Sequence, residues 1–594
     1  MARDLVIRVG GEAGEGVQST GILLAQATAR AGFHVITFWT VPAEIKGGHA
    51  LFQVRVGDHP LYAQGDQVDI LLAFNQEAYD LNTPQLRDGG LLLYDSAEFT
   101  PPSTGQWRQL PVPLTDIAKN QLKFELGKNV VAVGVCAALF GLPTHFAEKL
   151  LRDRWQRKGE EIVQVNMRAL QAGIDYVQQN VTNRDEYTIE APPIRENTIV
   201  LSGAQSLSLG ALAAGVNFYA GYPITPASDV MEFLASEFPK VGGTVIQAED
   251  EMAAIAMCLG ASFVGAKALT ATAGPGMSLM VEALGLGTMA ELPLVVVDAQ
   301  RAGPSTGLPT RHEQGDLYLA ALGGHGEVPR IVLATTSVED SFFQAVNAFN
   351  LAEKYQCPVI LMSDTVLMMR MEAIPKPDVG HVNVENRLLY QPPNGHGDGH
   401  ANGDGGQVPM HPLEGGYLRY APAENGVSPM SLPGMAGGQY VATGLEHNET
   451  GRPRYDPRTH TKMTEKRFKK LEVAMWDAPE PERYGDPTAE VGVVTWGTTI
   501  GNVKEAIDLL AQKGIKVDAI APRMLWPLPD HQLRDFIMSK RKVIVPEVNY
   551  TGQLATLLAA RYRNDLVRLN IYGGMPFRVR DIVEFIENEV AQRV

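Results

Sequence analysis

The sequence predicts a multidomain α/β protein, and three observations support this class. The chain has 594 residues, and at ~150 residues per domain that length suggests three or four domains. Apolar residues make up 45% and charged residues 20%, as in ordinary globular proteins. Strand-like and helix-like segments alternate along three separate stretches of the chain, which is typical of α/β domains.

The first series begins with an apolar strand, Leu5–Val9. It continues into a glycine-rich turn, Gly10–Gly16, and then into a helical pattern of apolar residues. Further strand-like runs follow at Val35–Phe38, 70–74 and 91–95. The series extends to about residue 185, and the polar stretch 180–197 reads as the linker that leaves it.

The second series begins at Ile199 and ends near residue 380. Its strand-like runs are Val245–Gln247, Ala268–Thr272, Leu294–Ala299 and Val359–Ser363. Residues 391–440 are rich in Gly, Pro, Asn and His, so a partly disordered surface excursion is expected there. A third series begins near Glu490 and runs to the end.

Charge and hydropathy narrow the functional classes. The net charge of −16 argues against nucleic acid and anionic membranes as main partners. No apolar run reaches the ~18 residues that a membrane span needs. Met1–Asp4 leads straight into a strand, so no signal peptide is expected, and the predicted location is the cytoplasm.

The chain has three cysteines, Cys136, Cys258 and Cys357. A cubane iron–sulfur cluster needs about four thiolates, and a structural zinc site needs about four ligands. The cysteines of this chain alone cannot supply either. Their apolar surroundings predict small, buried hydrophobic residues in a reducing compartment.

The first glycine cluster resembles a dinucleotide-binding turn only superficially. Its glycines follow the pattern GGxxGxG rather than GxGxxG, and Val35–Thr40 carries no acid at the end of the second strand. NAD binding is therefore disfavoured. Two interpretations stay open: a phosphate-bearing ligand of another kind, and a tight strand–helix packing turn.

The central series carries the densest group of motifs. Gly221–Pro226 leads into a helix predicted to open at Ala227, so Thr225 either caps that helix or points its hydroxyl above the sheet. A strand is then followed by Glu249, Asp250 and Glu251, and by an almost wholly apolar helix. Each acid could cap this helix. An acid facing the buried side is costly unless it is used or protonated.

Two further motifs follow strands of the same series. Gly274-Pro275-Gly276 forms a glycine turn between a strand and a helix. Arg301 and Arg311 follow the strand LPLVVVDA, at the edge of the sheet where ligands bind in α/β proteins. A guanidinium fork suits a carboxylate, although either arginine could also be structural or solvated.

A third glycine-rich region, at residues 397–405, resembles a magnesium-binding motif in its sequence. Gly397-Asp398-Gly399 and Gly403-Asp404-Gly405 are followed by Asn425 at a spacing typical of a diphosphate and Mg²⁺ motif. No apolar strand precedes the loop and no helix follows it, so nothing holds the geometry that magnesium requires. We expect no metal site here, and His396 and His400 are interpreted as solvated.

The chain resembles a fusion of two subunits of the 2-oxoacid:ferredoxin oxidoreductases. YPITP, QAEDE, TATAGPG and RAGPSTGLPTRHEQGD, at 198–380, resemble the alpha subunit, and GGEAGEGVQSTG with Lys46-Gly47-Gly48 resembles the gamma subunit. The tail resembles a transketolase-C-terminal-like domain. The resemblance implies four segments: a gamma-type domain at 1–185, a pyrimidine-binding domain at 196–380, a linker at 381–485 and the C-terminal domain at 486–594.

The resemblance also implies roles for individual residues. Glu251 would hydrogen-bond and activate thiamine diphosphate, with Glu249 as the rival, because Glu251 and Gly260 fit the spacing of thiamine enzymes. The implied cofactor contacts are Glu251, Pro223, Ile224, Thr225, Gly274, Pro275 and Gly276. The implied substrate contacts are Thr225, Arg301, Arg311 and Lys46, although Lys46 could equally be a solvated loop residue.

The expected partner is a beta subunit that carries Mg²⁺ and a [4Fe–4S] cluster and shares the thiamine diphosphate, in an α2β2 assembly. The implied reaction converts a 2-oxoacid, CoA and oxidised ferredoxin into acyl-CoA, CO₂ and reduced ferredoxin, and the full fusion points to 2-oxoglutarate. A branched-chain or broad-specificity enzyme, a redox-neutral thiamine decarboxylase and a non-catalytic assembly protein stay open as alternatives.

Overall fold

The computed structural model describes residues 4–42, 47–103, 105–182, 188, 190–391 and 417–591. Within these ranges the strands form three sheets, each flanked by helices. The protein is therefore of the α/β class, as the sequence predicts. Each described helix is too short or too polar to cross a bilayer.

The first series comprises β1 Asp4–Glu12, α1 Val17–Arg30, β2 His34–Thr40, β3 His49–Gly57, β4 Val68–Ala73, α2 Gln76–Asn82, β5 Leu86–Asp95, β6 Arg108–Val112, α3 Leu114–Asp116, α4 Lys128–Phe140, α5 Thr144–Trp155 and α6 Glu160–Asn180. The second comprises β7 Thr198–Ser202, α7 Gly203–Ala213, β8 Phe218–Gly221, α8 Ser228–Val241, β9 Thr244–Gln247, α9 Glu251–Phe263, β10 Ala268–Thr272, α10 Gly274–Met289, β11 Leu294–Gln300, α11 Leu317–Leu322, β12 Ile331–Ala334, α12 Val338–Tyr355, β13 Pro358–Asp364, α13 Thr365–Met369 and β14 Met371–Pro375. The segment 381–485, interpreted from the sequence as a linker, contains α14 Pro457–Ala474 and β15 Glu482–Gly485. The third series comprises β16 Val491–Val494, α15 Thr499–Gln512, β17 Val517–Ala521, β18 Met524–Trp526, α16 Asp530–Ser539, β19 Lys542–Glu547, α17 Gln553–Arg561, β20 Val567–Asn570 and α18 Val579–Ala591.

Two of the three sheets contain strands from more than one series. The first sheet has the order β6-β5-β4-β1-β3-β2-β14-β7, so its last two strands come from the second series. The second sheet, β18-β12-β13-β11-β10-β8-β9, takes β18 from the third series. The third sheet has the order β15-β17-β16-β19-β20. The alternation of strand-like and helix-like segments predicts where strands occur, but it does not predict which sheet an edge strand joins.

The second sheet is the one that positions the candidate site. From β12 to β9 its neighbouring strands are parallel. Apolar residues of α9, α10 and α11 pack together on one face, and those of α7, α8 and α12 on the other. The chain runs from β8 outward to β9 and then returns past β8 to β10, so the direction of winding reverses beside β8.

The part of the glycine-rich excursion that begins at Tyr417 differs from the expected surface loop. Tyr417, Arg419 and Tyr420 are almost fully buried. The carboxylate of Glu291 lies 2.7 Å from the ammonium groups of both Lys466 and Lys470. The segment itself is attached by its buried aromatic rings, by Val427 and Met430 in the cores beside the second sheet, and by a hydrogen bond from Arg419 to the carbonyl oxygen of Glu291.

The three cysteines are buried, as predicted. Cys136 and Cys258 are 0% exposed and Cys357 is 3% exposed. Burial raises the pKa of each thiol to about 12. A thiol that stays protonated is a poor nucleophile and a poor metal ligand.

Candidate active site

Four neighbouring parallel strands deliver the predicted motifs to one edge of the second sheet. In the order β11-β10-β8-β9, their carboxyl ends lead to Arg301, to Gly274–Gly276, to the loop 222–227 and to Glu251. The winding reverses between β8 and β10, and ligands of open α/β sheets bind in the crevice outside such a reversal. The fold therefore gathers residues that lie up to 80 positions apart in the sequence.

The three consecutive acids at the start of α9 have different environments. Asp250 caps the helix, because its carboxylate accepts a hydrogen bond from the backbone N–H of Ala253 at 2.7 Å. Glu249 is exposed, whereas Glu251 is only 6% exposed. Capping therefore accounts for Asp250 but not for Glu251, which occupies the buried position that the sequence predicts to be costly.

Glu251 packs directly against the glycine motif. A Cβ atom placed on Gly276 would lie 2.5 Å from Oε1 of Glu251 and 2.7 Å from its Cγ, and it would lie closer still to Oγ1 of Thr272. Glycine is thus required because the carboxyl group fills the space of a side chain. The motif itself forms the first turn of α10, which begins at Gly274, rather than a separate turn before the helix.

The loop after β8 contributes Thr225. Helix α8 begins at Ser228 rather than at Ala227, and its N-cap is Ala227, without a side-chain hydrogen bond. Thr225 is therefore not the cap of this helix. Its residue is exposed, as is Pro223, while Ile224 is partly buried. The exposed loop leaves the hydroxyl of Thr225 accessible from the crevice side.

Arg301 joins this group of residues, and Arg311 points elsewhere. Arg301 is 8% exposed and donates from NH1 to the carbonyl oxygen of Thr225 at 2.9 Å. Arg311 reaches the sulfur of Met575 at 3.7 Å, and its Cβ lies beside Gly574, in the loop after β20. The two arginines that appear equivalent in the sequence thus serve different parts of the structure.

Two acids near Arg301 were not singled out by the sequence. Asp298 lies in β11 and is 0% exposed, and Asp316 precedes α11. Burial raises the pKa of both carboxyl groups; the charge of Asp316 raises the pKa of Asp298 further, and the charge of Glu313 raises that of Asp316. The available signal was an aspartate within the apolar strand LPLVVVDA, since charged residues are almost never fully buried unless they are paired.

The first glycine cluster, Gly10–Gly16, includes an acidic side chain that is hydrogen-bonded within the cluster's surroundings. The carboxylate of Glu15 accepts hydrogen bonds from the backbone N–H of Glu12 at 2.7 Å and from the amide of Asn75 at 2.8 Å. This internal pairing favours the packing-turn interpretation over a phosphate site. Lys46 lies outside the described residues, as do the two Gly-Asp-Gly motifs. The side-chain oxygen of Asn425 accepts from the N–H of Val427 in a local turn.

Beside the crevice, α9 and α10 expose an apolar surface, here called the α9–α10 face. On α9, Met252 is 53% and Met257 39% exposed; on α10, Leu279 is 49% and Leu286 39% exposed. A helix on a protein surface normally turns polar residues outward. Contiguous exposed apolar surface is typical of interaction sites.

These residues suit the pyrimidine half of a thiamine diphosphate site. The buried carboxyl group of Glu251 packs against a glycine turn at the edge of the sheet, beside the exposed loop that carries Thr225. Glu251 and the Gly274–Gly276 turn would hold the aminopyrimidine ring, with Ile224 and Pro223 beside it.

Comparison with known proteins gives the class of protein to which this chain belongs. A family model described as pyruvate flavodoxin/ferredoxin oxidoreductase, thiamine diP-bdg, matches residues 209–466. Models for pyruvate ferredoxin/flavodoxin oxidoreductase and for core domain II of pyruvate:ferredoxin oxidoreductase match 6–176 and 489–582. The fold and these matches define an oxidoreductase subunit with a thiamine-diphosphate-binding domain.

Individual relatives narrow the class further. The 2-oxoglutarate oxidoreductase subunit KorA of Mycobacterium tuberculosis is 32% identical over all of this chain and 92% of its own length. The alpha subunit of 2-oxoacid:ferredoxin oxidoreductase 2 of Aeropyrum pernix is 29% identical over 100% and 99%. The solved structure of 2-oxoglutarate:ferredoxin oxidoreductase from Magnetococcus marinus is 41% identical, with a TM-score of 0.91 and coverage of 99% and 100%. The chain belongs to the 2-oxoacid:ferredoxin oxidoreductase family, as its motifs predict.

Proposed function

We propose that this chain is the catalytic alpha-type subunit of a 2-oxoglutarate:ferredoxin oxidoreductase. The proposed reaction converts 2-oxoglutarate, CoA and oxidised ferredoxin into succinyl-CoA, CO₂ and reduced ferredoxin. The observation that carries the proposal is the burial of Glu251 against Gly276 on the strand edge that also holds Arg301 and Thr225. The Magnetococcus structure, which has 2-oxoglutarate, coenzyme A and succinyl-CoA bound, supports the choice of substrate.

Glu251 is the residue proposed to exchange a proton with the cofactor. Thiamine diphosphate, when bound, supplies the carbon nucleophile that attacks the keto group. Glu251 would hold the proton at its carboxyl oxygen, where it can form a hydrogen bond to a ring nitrogen of the aminopyrimidine. Its burial keeps water from competing for that proton. The exposed Glu249 has no comparable environment.

Arg301 and Thr225 are proposed to hold the substrate. A 2-oxoacid has a carboxylate next to its keto group, and a guanidinium can bind it through two nitrogens. The hydrogen bond from Arg301 to the carbonyl of Thr225 fixes one side of that guanidinium. Arg311, whose guanidinium contacts the sulfur of Met575, and Lys46 stay further proposed substrate contacts.

The proposed partner is a beta subunit that supplies the diphosphate and Mg²⁺ site and the [4Fe–4S] cluster, in an α2β2 assembly. Both helices of the α9–α10 face begin at the crevice, α9 with Glu251 and α10 with Gly274. A protein that covers this apolar face therefore also covers the open side of the crevice. The three buried cysteines support the assignment of the cluster to the partner.

The test compares two substitutions of neighbouring glutamates in the complex of this chain with its beta subunit, prepared without oxygen. Glu251→Gln keeps the size of the side chain and removes the exchangeable proton, so CoA-dependent reduction of a viologen dye should fall by about 100-fold or more. Glu249→Gln is the control and should retain activity within about 2-fold, because Glu249 is exposed.

The same assay decides the substrate. 2-Oxoglutarate, pyruvate and a branched-chain 2-oxoacid are compared at equal concentration, and 2-oxoglutarate should give the highest kcat/KM. Comparable rates with all three would replace the proposal by a broad-specificity enzyme. Full activity of Glu251→Gln would remove the proposed role of this carboxyl group, and the absence of turnover with every 2-oxoacid would favour a non-catalytic assembly protein.

A further inference from the structure

The loop after β11 connects the candidate active site to the third sheet. It begins at Arg301, and the backbone N–H of the next residue, Ala302, donates to the carbonyl oxygen of Arg311 at 3.0 Å. The backbone N–H of His312 donates to the carbonyl oxygen of Gly574 at 3.1 Å, in the loop after β20. Arg311 therefore lies between the candidate active site and the carboxyl end of β20.

Two exposed tyrosines lie beside each other at this end of the third sheet, and they are here called the tyrosine pair. Tyr550 follows β19 and is 72% exposed, and Tyr572 follows β20 and is 58% exposed. Their ring centroids are 5.0 Å apart. The side-chain amide of Asn570 donates to the carbonyl oxygen of Asn549 at 2.7 Å, which holds the two loops together. Tyrosine is enriched at binding surfaces because its ring is apolar and its hydroxyl is polar.

An arginine lies next to each of the two loops that carry the tyrosine pair. The exposed Arg568 donates from Nη1 to the carbonyl oxygen of Thr551, the residue after Tyr550, at 3.0 Å. Nη1 of Arg311 lies 3.7 Å from the sulfur of Met575, in the same loop as Tyr572. The positive charges of both guanidinium groups therefore border the exposed rings.

The loops around the tyrosine pair differ in charge from the chain as a whole. The stretches 301–312, 548–553 and 568–577 contain no acidic residue, although the net charge of the chain is −16. A local basic surface on an acidic protein attracts anions. Exposed rings beside such a surface suit a ligand that combines negative charge with a flat ring.

We propose that the tyrosine pair, Arg311 and Arg568 bind the nucleotide end of coenzyme A. Adenine is a flat ring that can stack on an aromatic side chain, and the phosphate groups of CoA are anions that a guanidinium binds through two nitrogens. The rest of CoA is a flexible arm that ends in a thiol, and Arg311 lies between the tyrosine pair and Arg301. This assignment rests on the proposed function, because that reaction needs the thiol of CoA beside the 2-oxoacid.

The first experiment measures the KM for CoA, the KM for 2-oxoglutarate and kcat in the complex with the beta subunit. Tyr550→Ala and Tyr572→Ala should each raise the KM for CoA by about 10-fold and leave the other two constants unchanged. Tyr550→Phe keeps the ring and should restore the wild-type KM for CoA. Pantetheine lacks the nucleotide, so the variants should use it as well as the wild type does. Tyr455→Ala is the control, because it removes a tyrosine that is 83% exposed in the segment before α14.

A second measurement needs no turnover and separates this assignment from the proposed function. Adenosine 3′,5′-bisphosphate, which carries the adenine ring and phosphate groups of CoA without the thiol arm, is titrated calorimetrically into the complex. It should bind the wild type, and it should bind Tyr550→Ala and Arg568→Gln about 10-fold more weakly. A complex that binds the bisphosphate but converts no 2-oxoacid would contradict the proposed reaction and keep the nucleotide site.

Three results would overturn the nucleotide site. The first is a wild-type complex that does not bind the bisphosphate. The second is wild-type affinity for the bisphosphate, or a wild-type KM for CoA, in both tyrosine variants. The third is weaker association of Tyr550→Ala with the beta subunit at unchanged affinity for the bisphosphate, which would assign the tyrosine pair to a protein interface.

Discussion

Gly276→Ala is the substitution that most directly tests the geometry of the candidate site. The new Cβ would lie 2.5 Å from Oε1 of Glu251 and closer still to Oγ1 of Thr272. Optimal separations of non-bonded heavy atoms are about 3.5 Å. The carboxyl group of Glu251 must therefore move by roughly 1 Å, since Thr272 lies in the core strand β10 and cannot move as easily.

The size of that displacement sets the expected loss of activity. A misplacement of about 1 Å in an active site can cost on the order of 100-fold in rate, which corresponds to about 2.7 kcal/mol of transition-state stabilisation. The overpacked core should also lose about 1–3 kcal/mol of folding stability. Activity should thus fall much further than can be explained by a population of unfolded protein below the thermal transition.

Gly285→Ala is the matched control, because it makes the same change in the same helix. The nearest atom to a Cβ at Gly285 is Cγ2 of Val328 at 4.0 Å, which is ordinary van der Waals contact. Removing a glycine from a helix interior stabilises by roughly 0.5–1 kcal/mol. Viologen reduction and thermal midpoints are measured for both variants in the complex. If Gly276→Ala retained wild-type kcat/KM within about 3-fold, the contact between Glu251 and the turn would not be part of the catalytic arrangement.

Two further predictions concern association and stability. Met257→Lys, on the α9–α10 face, should weaken binding to the beta subunit by about 100-fold, because a charge would be buried at the interface. In the same calorimetric titration, the control Leu509→Lys on α15 should bind with the affinity of the wild type. Equal affinities of the two variants would refute the assignment of the face. Glu291→Gln should destabilise the chain by about 3–5 kcal/mol, because it leaves Lys466 buried without its partner. Glu472→Gln, which removes an exposed pair of the same helix α14, should change the thermal midpoint very little, and equal midpoints for the two variants would contradict the buried-pair argument.

The elements of the fold were predictable where local patterns decide them. The apolar runs around Leu5–Val9 and Leu294–Ala299 became β1 and β11, with ends shifted by a few residues. The order of motifs after successive strands also predicted that Thr225, Glu251 and Arg301 would lie at one edge, because parallel strands end on the same side of a sheet. The conformation of a single strand or turn follows from nearby residues.

Properties that depend on distant contacts were not predictable in the same way. Arg301 and Arg311 contact different parts of the structure because of the way the loop between them folds. No residue type in that loop predicts this difference. The burial of Tyr417 and Arg419 depends on Glu291, more than 120 positions away. The complete burial of Asp298 likewise depends on α10 and α11, which pack on one face of the sheet.

The structure also bears on the proposed division of the candidate site between two proteins. Glu251, Arg301 and Asp298 are buried within this chain, whereas Thr225 and Pro223 lie on its open side. Electrostatic interactions at such a crevice are weak while water fills it, and they strengthen when a partner excludes that water. The apolar α9–α10 face begins at the same crevice, so the association that buries the face should also dry the site. On this argument the proposed beta subunit would contribute to catalysis by closing the site as well as by the groups it is proposed to carry.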